Sequence, residues 1–279
     1  MFFYQLRAEL WKLFAKKRTY IGFGMVMLAQ LTVVLIFRYT KAQHELLAPI
    51  RRSGFSAESY LSMLTMATAL MVILGQLILG LYVALVGGDF VSKESEDGTL
   101  RMILSRPISR MRLLCLKWLA GAVFSFVLVF ALGLFGLLFA GIWFPVKGGL
   151  FVLSSQSGVN LYDFAGGLEH YMMALSYMVA KACAVMSLAF MFSCFNMKPA
   201  AATILALSLI LIDHILMEIP YFHEFKYWFL AYHINAWESL LSDPVPWWRV
   251  WGSLSVTAGA SMTFLIIGIT AFQVRDIKS

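Results

Sequence analysis

From Tyr60 to Gly87 the chain runs 28 residues without a charged side chain. As a helix this run would reach about 40 Å, more than the ~30 Å hydrocarbon core of a bilayer. A segment of that kind folds as a tilted or protruding membrane span. Five further apolar runs follow the same logic, near residues 20–37, 113–144, 172–195, 200–217 and 251–272. The predicted fold is an all-α membrane protein, a single transmembrane domain over 1–279 with six transmembrane helices. Composition agrees: 61% of residues are hydrophobic, 13% are charged and the mean hydropathy is +0.79. Soluble domains are nearer half apolar and a quarter charged. The values exclude a disordered chain and a nucleic-acid-binding arm, and they argue against an ordinary soluble enzyme.

The net charge of +7 belongs to the topology. Residues 1–18 carry Phe2, Phe3, Leu6, Leu10, Leu13 and Phe14 at helical spacing, with Arg7, Lys12, Lys16, Lys17 and Arg18 between and after them. This pattern predicts an amphipathic helix lying on the inner membrane surface. Arg38, Tyr39, Thr40 and Lys41 follow the first apolar run instead of a small-residue cleavage site, so that run reads as a retained span. With the N-terminus inside, fourteen Lys and Arg fall on the inner side and seven on the outer, with Lys181 left in the membrane. Both termini are therefore expected in the cytoplasm and the chain in the cytoplasmic (inner) membrane. Cys115, Cys183 and Cys194 lie in or beside apolar runs and imply no disulfide framework.

Residues 88–112 form the most polar stretch and read as a loop between spans 2 and 3. Glu94 and Glu96 precede Gly98-Thr99, where Thr99 can cap a short helix. Leu100, Ile103 and Leu104 then share one face, and Arg101 points elsewhere. Pro107 pushes Arg106 out of the helical region, which ends the helix, and Ser109 can cap the next one before Arg110. The product is a short amphipathic helix between two long spans, suited either to touching a soluble partner or to setting topology with its basic residues.

The segment Glu94-Ser-Glu96-Asp-Gly98-Thr99-Leu100-Arg-Met-Ile-Leu104-Ser-Arg106-Pro107-Ile108-Ser109-Arg110, with Lys117 following, resembles the signature loop of ABC transporter permeases of the type-2 exporter family. The basic N-terminal helix and the six-span layout are similar too. The resemblance implies a membrane-spanning permease subunit of an ATP-driven exporter. Loop residues Glu94, Glu96, Gly98, Thr99, Leu100, Leu104, Arg106, Pro107 and Arg110 would then form a cytoplasmic coupling helix that meets a separate ATP-binding cassette subunit. It also implies a second permease, as a copy or a paralogue. ATP and Mg would be bound by the partner subunit. This chain has no Gly-Lys dipeptide, hence no phosphate-binding G-x-x-x-x-G-K loop, and no cofactor is expected in it.

Three polar residues fall in apolar runs: Lys181, Asp213 and His214. Lys181 lies 16 residues before Met197 and Asp213 lies 16 after it, so a hairpin puts them at similar depth and a Lys181–Asp213 pair is expected. The other reading has Lys181 snorkelling and Asp213 at the outer interface. Residues 220–248 are rich in aromatics, with helical spacing through Leu241. They suit an outer headgroup belt, or an outer aromatic lip for an exported substrate formed by Trp228, Phe229 and Tyr232. His223-Glu224 lacks the second histidine of a zinc-protease motif because Tyr227 stands there, and no other metal set is spaced for ligation. Gly22, Gly24, Gly133 and Gly136 read as close helix-packing positions. Two rival functions remain: a membrane-embedded enzyme built on Lys181, Asp213 and His214, and a non-transporting, ATPase-coupled assembly or anchoring subunit.

Overall fold

The structure is a computed structural model that describes residues 2–40, 60–104, 109–154 and 158–275. Helix α1 (Phe2–Ala15) leads into α2 (Lys17–Tyr39). Next come α3 (Met63–Glu96), the short α4 (Thr99–Leu104) and α5 (Arg110–Trp143). A hairpin of β1 (Leu150–Ser154) and β2 (Gly158–Tyr162) precedes α6 (Phe164–Cys194) and α7 (Pro199–Glu218). A 3-10 helix (Pro220–Trp228), α8 (Leu230–Ile234) and a second 3-10 helix (Ala236–Leu241) connect to α9 (Trp247–Val274). Among the described residues six helices are long and apolar enough to cross a membrane: α2, α3, α5, α6, α7 and α9. The chain is an all-α membrane protein with one small hairpin.

Helix α6 is the centre of the bundle. In its most apolar window 72% of residues are buried, against 17% in α7. The other spans wrap it, and α3 makes the most intimate contact. Gly87 and Gly88 permit that contact. A Cβ on Gly87 would lie 2.6 Å from the Met186 carbonyl of α6. A Cβ on Gly88 would lie 2.5 Å from Thr203 Oγ1 of α7. The Gly pair therefore lets one helix touch two neighbours. Of the glycines expected at packing positions, Gly133 sits against Leu175, while Gly24 faces open space.

Several boundaries differ from the sequence expectation. Span 2 does not end at Gly87: α3 continues nine residues further, to Glu96. Phe90, Val91 and Ser92 are still buried, Ser92 Oγ donates to the Ser193 carbonyl at 3.0 Å, and Lys93 pairs with Glu96 and Asp97. The polar tail of α3 is an amphipathic helix end, and only Gly98, at φ +71°, breaks it. Residues 145–171 were expected to be a loop. They form the hairpin, paired Leu150 to Tyr162, and the first turns of α6, capped by Asp163 through its bond from Gly166 N. The alternation that buries Leu150, Asn160 and Tyr162 is too short to stand out beside membrane spans. Ser109 caps α5 as expected, accepting from Arg112 N at 3.3 Å.

The region 220–241 departs furthest. It is not one interfacial helix but three short pieces, of which the second and third turn into the bundle. Ala231, Ile234, Ala236, Trp237, Leu240 and Leu241 are buried, and Trp237 is fully so. Asn160 and Tyr162 of the hairpin donate to the Leu241 carbonyl, and His170 Nδ1 donates to the Leu240 carbonyl at 2.6 Å. His233 is held at both nitrogens, Nε2 donating to the Tyr227 carbonyl and Nδ1 accepting from Ser253 Oγ.

Candidate functional site: a charged helix end and a polar cluster between spans

The N-terminal helix, the α3–α5 connection and the end of α9 meet at one end of the bundle. Helix α1 buries Leu13 and packs Leu6, Leu10 and Phe14 against the spans, while Phe3, Tyr4 and Trp11 stay exposed. Its one acidic residue, Glu9, reaches Lys117 of α5, which is 1% exposed. Lys117 Nζ donates to Glu94 Oε1 at 2.6 Å and to Glu9 Oε2 at 3.1 Å. Lys12 adds a bond to Glu9 at 2.9 Å and lies 3.9 Å from Glu94. Burial would raise the Glu9 pKa, but the charges and hydrogen bonds of Lys117 and Lys12 outweigh it, and the carboxyl is held below its ordinary value. One buried ammonium thus clamps α1, the tail of α3 and the start of α5.

This geometry sorts the loop residues. Glu94 faces inward to Lys117. Thr99 Oγ1 donates to the Glu94 carbonyl at 3.3 Å, and Leu100 is buried. Arg110 also serves the fold, donating to the Gln273 and Arg275 carbonyls at the end of α9. Arg275 in turn donates to Ser95 Oγ and Asn196 Oδ1. Glu96, Asp97 and Met102 point out, and Met102 is 67% exposed. Arg106 and Pro107, and the side chain of Leu104, lie outside the described residues. Of the expected coupling residues, Glu94, Thr99 and Arg110 thus bond within the chain and Leu100 is buried, while Glu96 is exposed.

The second locus lies between the spans. Lys181 sits 13 residues before Cys194 at the end of α6, about 20 Å along the helix. It does not pair with Asp213, so that expectation is corrected. Lys181 Nζ donates to Gln76 Oε1 of α3 at 2.6 Å and to Asn235 Oδ1 at 2.9 Å, with the Trp237 ring 6.0 Å away. Gln76 Nε2 passes the chain of bonds to Glu238 Oε1. Asp213 instead accepts from Ala231 N and closes the start of α8, whose own Phe229 supplies no side-chain cap. The inserted segment therefore takes up both residues, Lys181 through Asn235 and Asp213 through Ala231. His214 is exposed and lies close enough to Asp213 and Glu238 to act on both electrostatically. Gln76 and Glu238 are exposed on the same side of the bundle.

The aromatic lip is divided in the same way. Trp228 is 87% exposed, Phe229 is half-buried against Phe222, and Tyr232 is buried beneath the Arg249 guanidinium at 4.5 Å. Tyr232 forms no part of an exposed lip.

Sequence reasoning missed Glu9, Gln76, Asn235, Trp237 and Glu238. Glu9 had a signal, being the one acid among five basic residues in 1–18. The others had little, since an amide in an apolar run is informative only once its partner is known.

A six-span helical bundle with a short anchored helix between spans 2 and 3 is the architecture of a polytopic membrane protein. The sequence matches the family model described as ABC-2 family transporter protein over residues 11–235, and the chain belongs to that family. A search of curated proteins gave no match.

Proposed function

We propose that the chain is the permease subunit of an ATP-driven exporter, working with a separate ATP-binding subunit and a second permease, either a copy or a paralogue. The bundle end that carries both termini faces the cytoplasm in this reading, and α1 lies on the inner membrane surface. The observation that carries it is the construction of α4. Gly98 sets it off from α3, Leu100 and the Glu94–Lys117–Glu9 clamp fix it to three helices, and Glu96, Asp97 and Met102 lie exposed at the surface. A push on this small element is delivered to α1, α3 and α5 together. ATP and Mg are bound by the partner. The rival enzyme loses its constellation, because Lys181 is bound to two amide oxygens and Asp213 to a backbone amide.

The polar cluster gives this reading a path. An acidic side chain between spans is costly in hydrocarbon. The side of the bundle that exposes Glu238, Gln76 and His214 therefore faces water or the second permease, and export runs past it.

Surface variants test the coupling without disturbing the clamp. The wild-type chain is expected to co-purify with an ATP-hydrolysing subunit, and Glu96→Lys combined with Met102→Asp to lose most of it at equal permease yield. No ATPase with the wild type, or undiminished capture by the variant, contradicts the proposal.

A further inference from the structure

Between α1 and the inner ends of α3 and α5 lies a cavity of about 660 Å³. Its walls divide by chemistry. Leu13, Phe90 and Leu116 form an apolar side, and the polar side mixes Lys12 and Lys16 with the carboxylates of Glu9, Asp89 and Asp97. Lys16 forms no ion pair among the described residues. Two further lining residues, Gln5 and Glu94, each carry a buried oxygen that receives no hydrogen bond, Gln5 Oε1 and Glu94 Oε2. Buried acceptors without donors are rare and costly. The terminal torsion of Gln is soft, so Gln5 Oε1 can turn to the cavity wall, and Glu94 Oε2 is the carboxylate oxygen that Lys117 leaves unbonded.

A ligand matching these walls carries an N–H donor group with positive charge, an anionic group, and an apolar body. A phosphoethanolamine ester has the first two. The exposed Phe3, Tyr4 and Trp11 of α1 and the apolar wall favour the membrane as its source. We propose that the cavity holds the headgroup of a primary-amine phospholipid from the adjoining leaflet, its ammonium donating to Gln5 and Glu94 and its phosphate meeting Lys12 and Lys16. The site needs no ATP-binding subunit. It therefore stands or falls separately from the exporter reading.

The test uses the full chain, purified in detergent and stripped of lipid, titrated with dioleoyl-phosphatidylethanolamine or dioleoyl-phosphatidylcholine in mixed micelles. Native mass spectrometry counts bound lipid. The two headgroups share the phosphate, but the quaternary ammonium of the choline lipid has no N–H to donate. The expected result is one ethanolamine lipid per chain, bound about tenfold more tightly than the choline lipid. Gln5→Leu, which removes an unbonded acceptor, should abolish most of that preference. Lys16→Ala, at an exposed position, should weaken both lipids alike. Equal binding of the two lipids, or an unchanged preference in Gln5→Leu, overturns the proposal. Displacement of the lipid by millimolar glycerophosphoethanolamine overturns the lipid source and assigns the cavity to a soluble ester.

Discussion

Lys117→Met is expected to destabilise the chain by about 3–5 kcal/mol, because it takes the buried cation from two carboxylates. Glu9 and Glu94 have side chains only 11% and 17% exposed, and Lys117 is the one group bonded to both. Lys12 is half exposed; it keeps its bond to Glu9 but stands 3.9 Å from Glu94, so it replaces the buried cation only in part. The measurement is the thermal midpoint and yield of the detergent-purified chain. The triple variant Lys117→Met, Glu9→Gln, Glu94→Gln removes all three charges and should recover much of the loss, since neutral amides cost far less to bury than unpaired carboxylates. A single Lys117→Met variant as stable as the wild type would show that the clamp carries no load.

Trp237→Ala should cost a similar amount, about 3–5 kcal/mol, through the cavity left by the largest fully buried side chain. The effect should concentrate on the inserted segment. Trp237 packs where residues 229–241 enter the bundle, beside the Lys181 ammonium that holds Asn235. Limited proteolysis or hydrogen exchange should therefore show 220–241 opening before the spans do. Trp228→Ala is the matched comparison: it removes an equal side chain that is 87% exposed, and its cost should stay within about 0.5 kcal/mol. Equal effects of the two substitutions would restore the interfacial-belt reading of this region.

That contrast marks where the sequence was legible. Six apolar runs translate directly into spans, because a bilayer demands length and apolarity and little else. The cap at Ser109 was legible because it is a local event set by one residue's chemistry. The tail of α3 was not, since Phe90, Val91 and Ser92 are helical by virtue of contacts with α6 that no local pattern states. Lys181 and Asp213 were placed at similar depth, but an intervening segment is invisible to a depth estimate between two helices. Residues 220–241 carry belt aromatics and core aromatics in one stretch, and composition alone treats Trp228 and Trp237 alike. In the charged end, the residue types were legible and their directions were not. Glu94 and Glu96 are two positions apart on a helix, which puts them on different faces.

In the proposed function, motion imposed at α4 reaches the polar cluster between the spans. His214 is suited to report it, being exposed on α7 near Glu238 and engaged in no hydrogen bond among the described residues. In a background with Cys115, Cys183 and Cys194 replaced, His214→Cys is reconstituted with the ATP-binding subunit. Its rate of reaction with a membrane-impermeant thiol reagent is then measured with and without ATP. Ile266→Cys, on the exposed face of α9, serves as the lipid-facing control. The expected result is that position 214 reacts, that position 266 does not, and that ATP changes the rate at 214 only when Glu96 and Met102 are intact. A rate at 214 that is the same with and without ATP would contradict the coupling, and no reaction at 214 in any state would contradict the aqueous path.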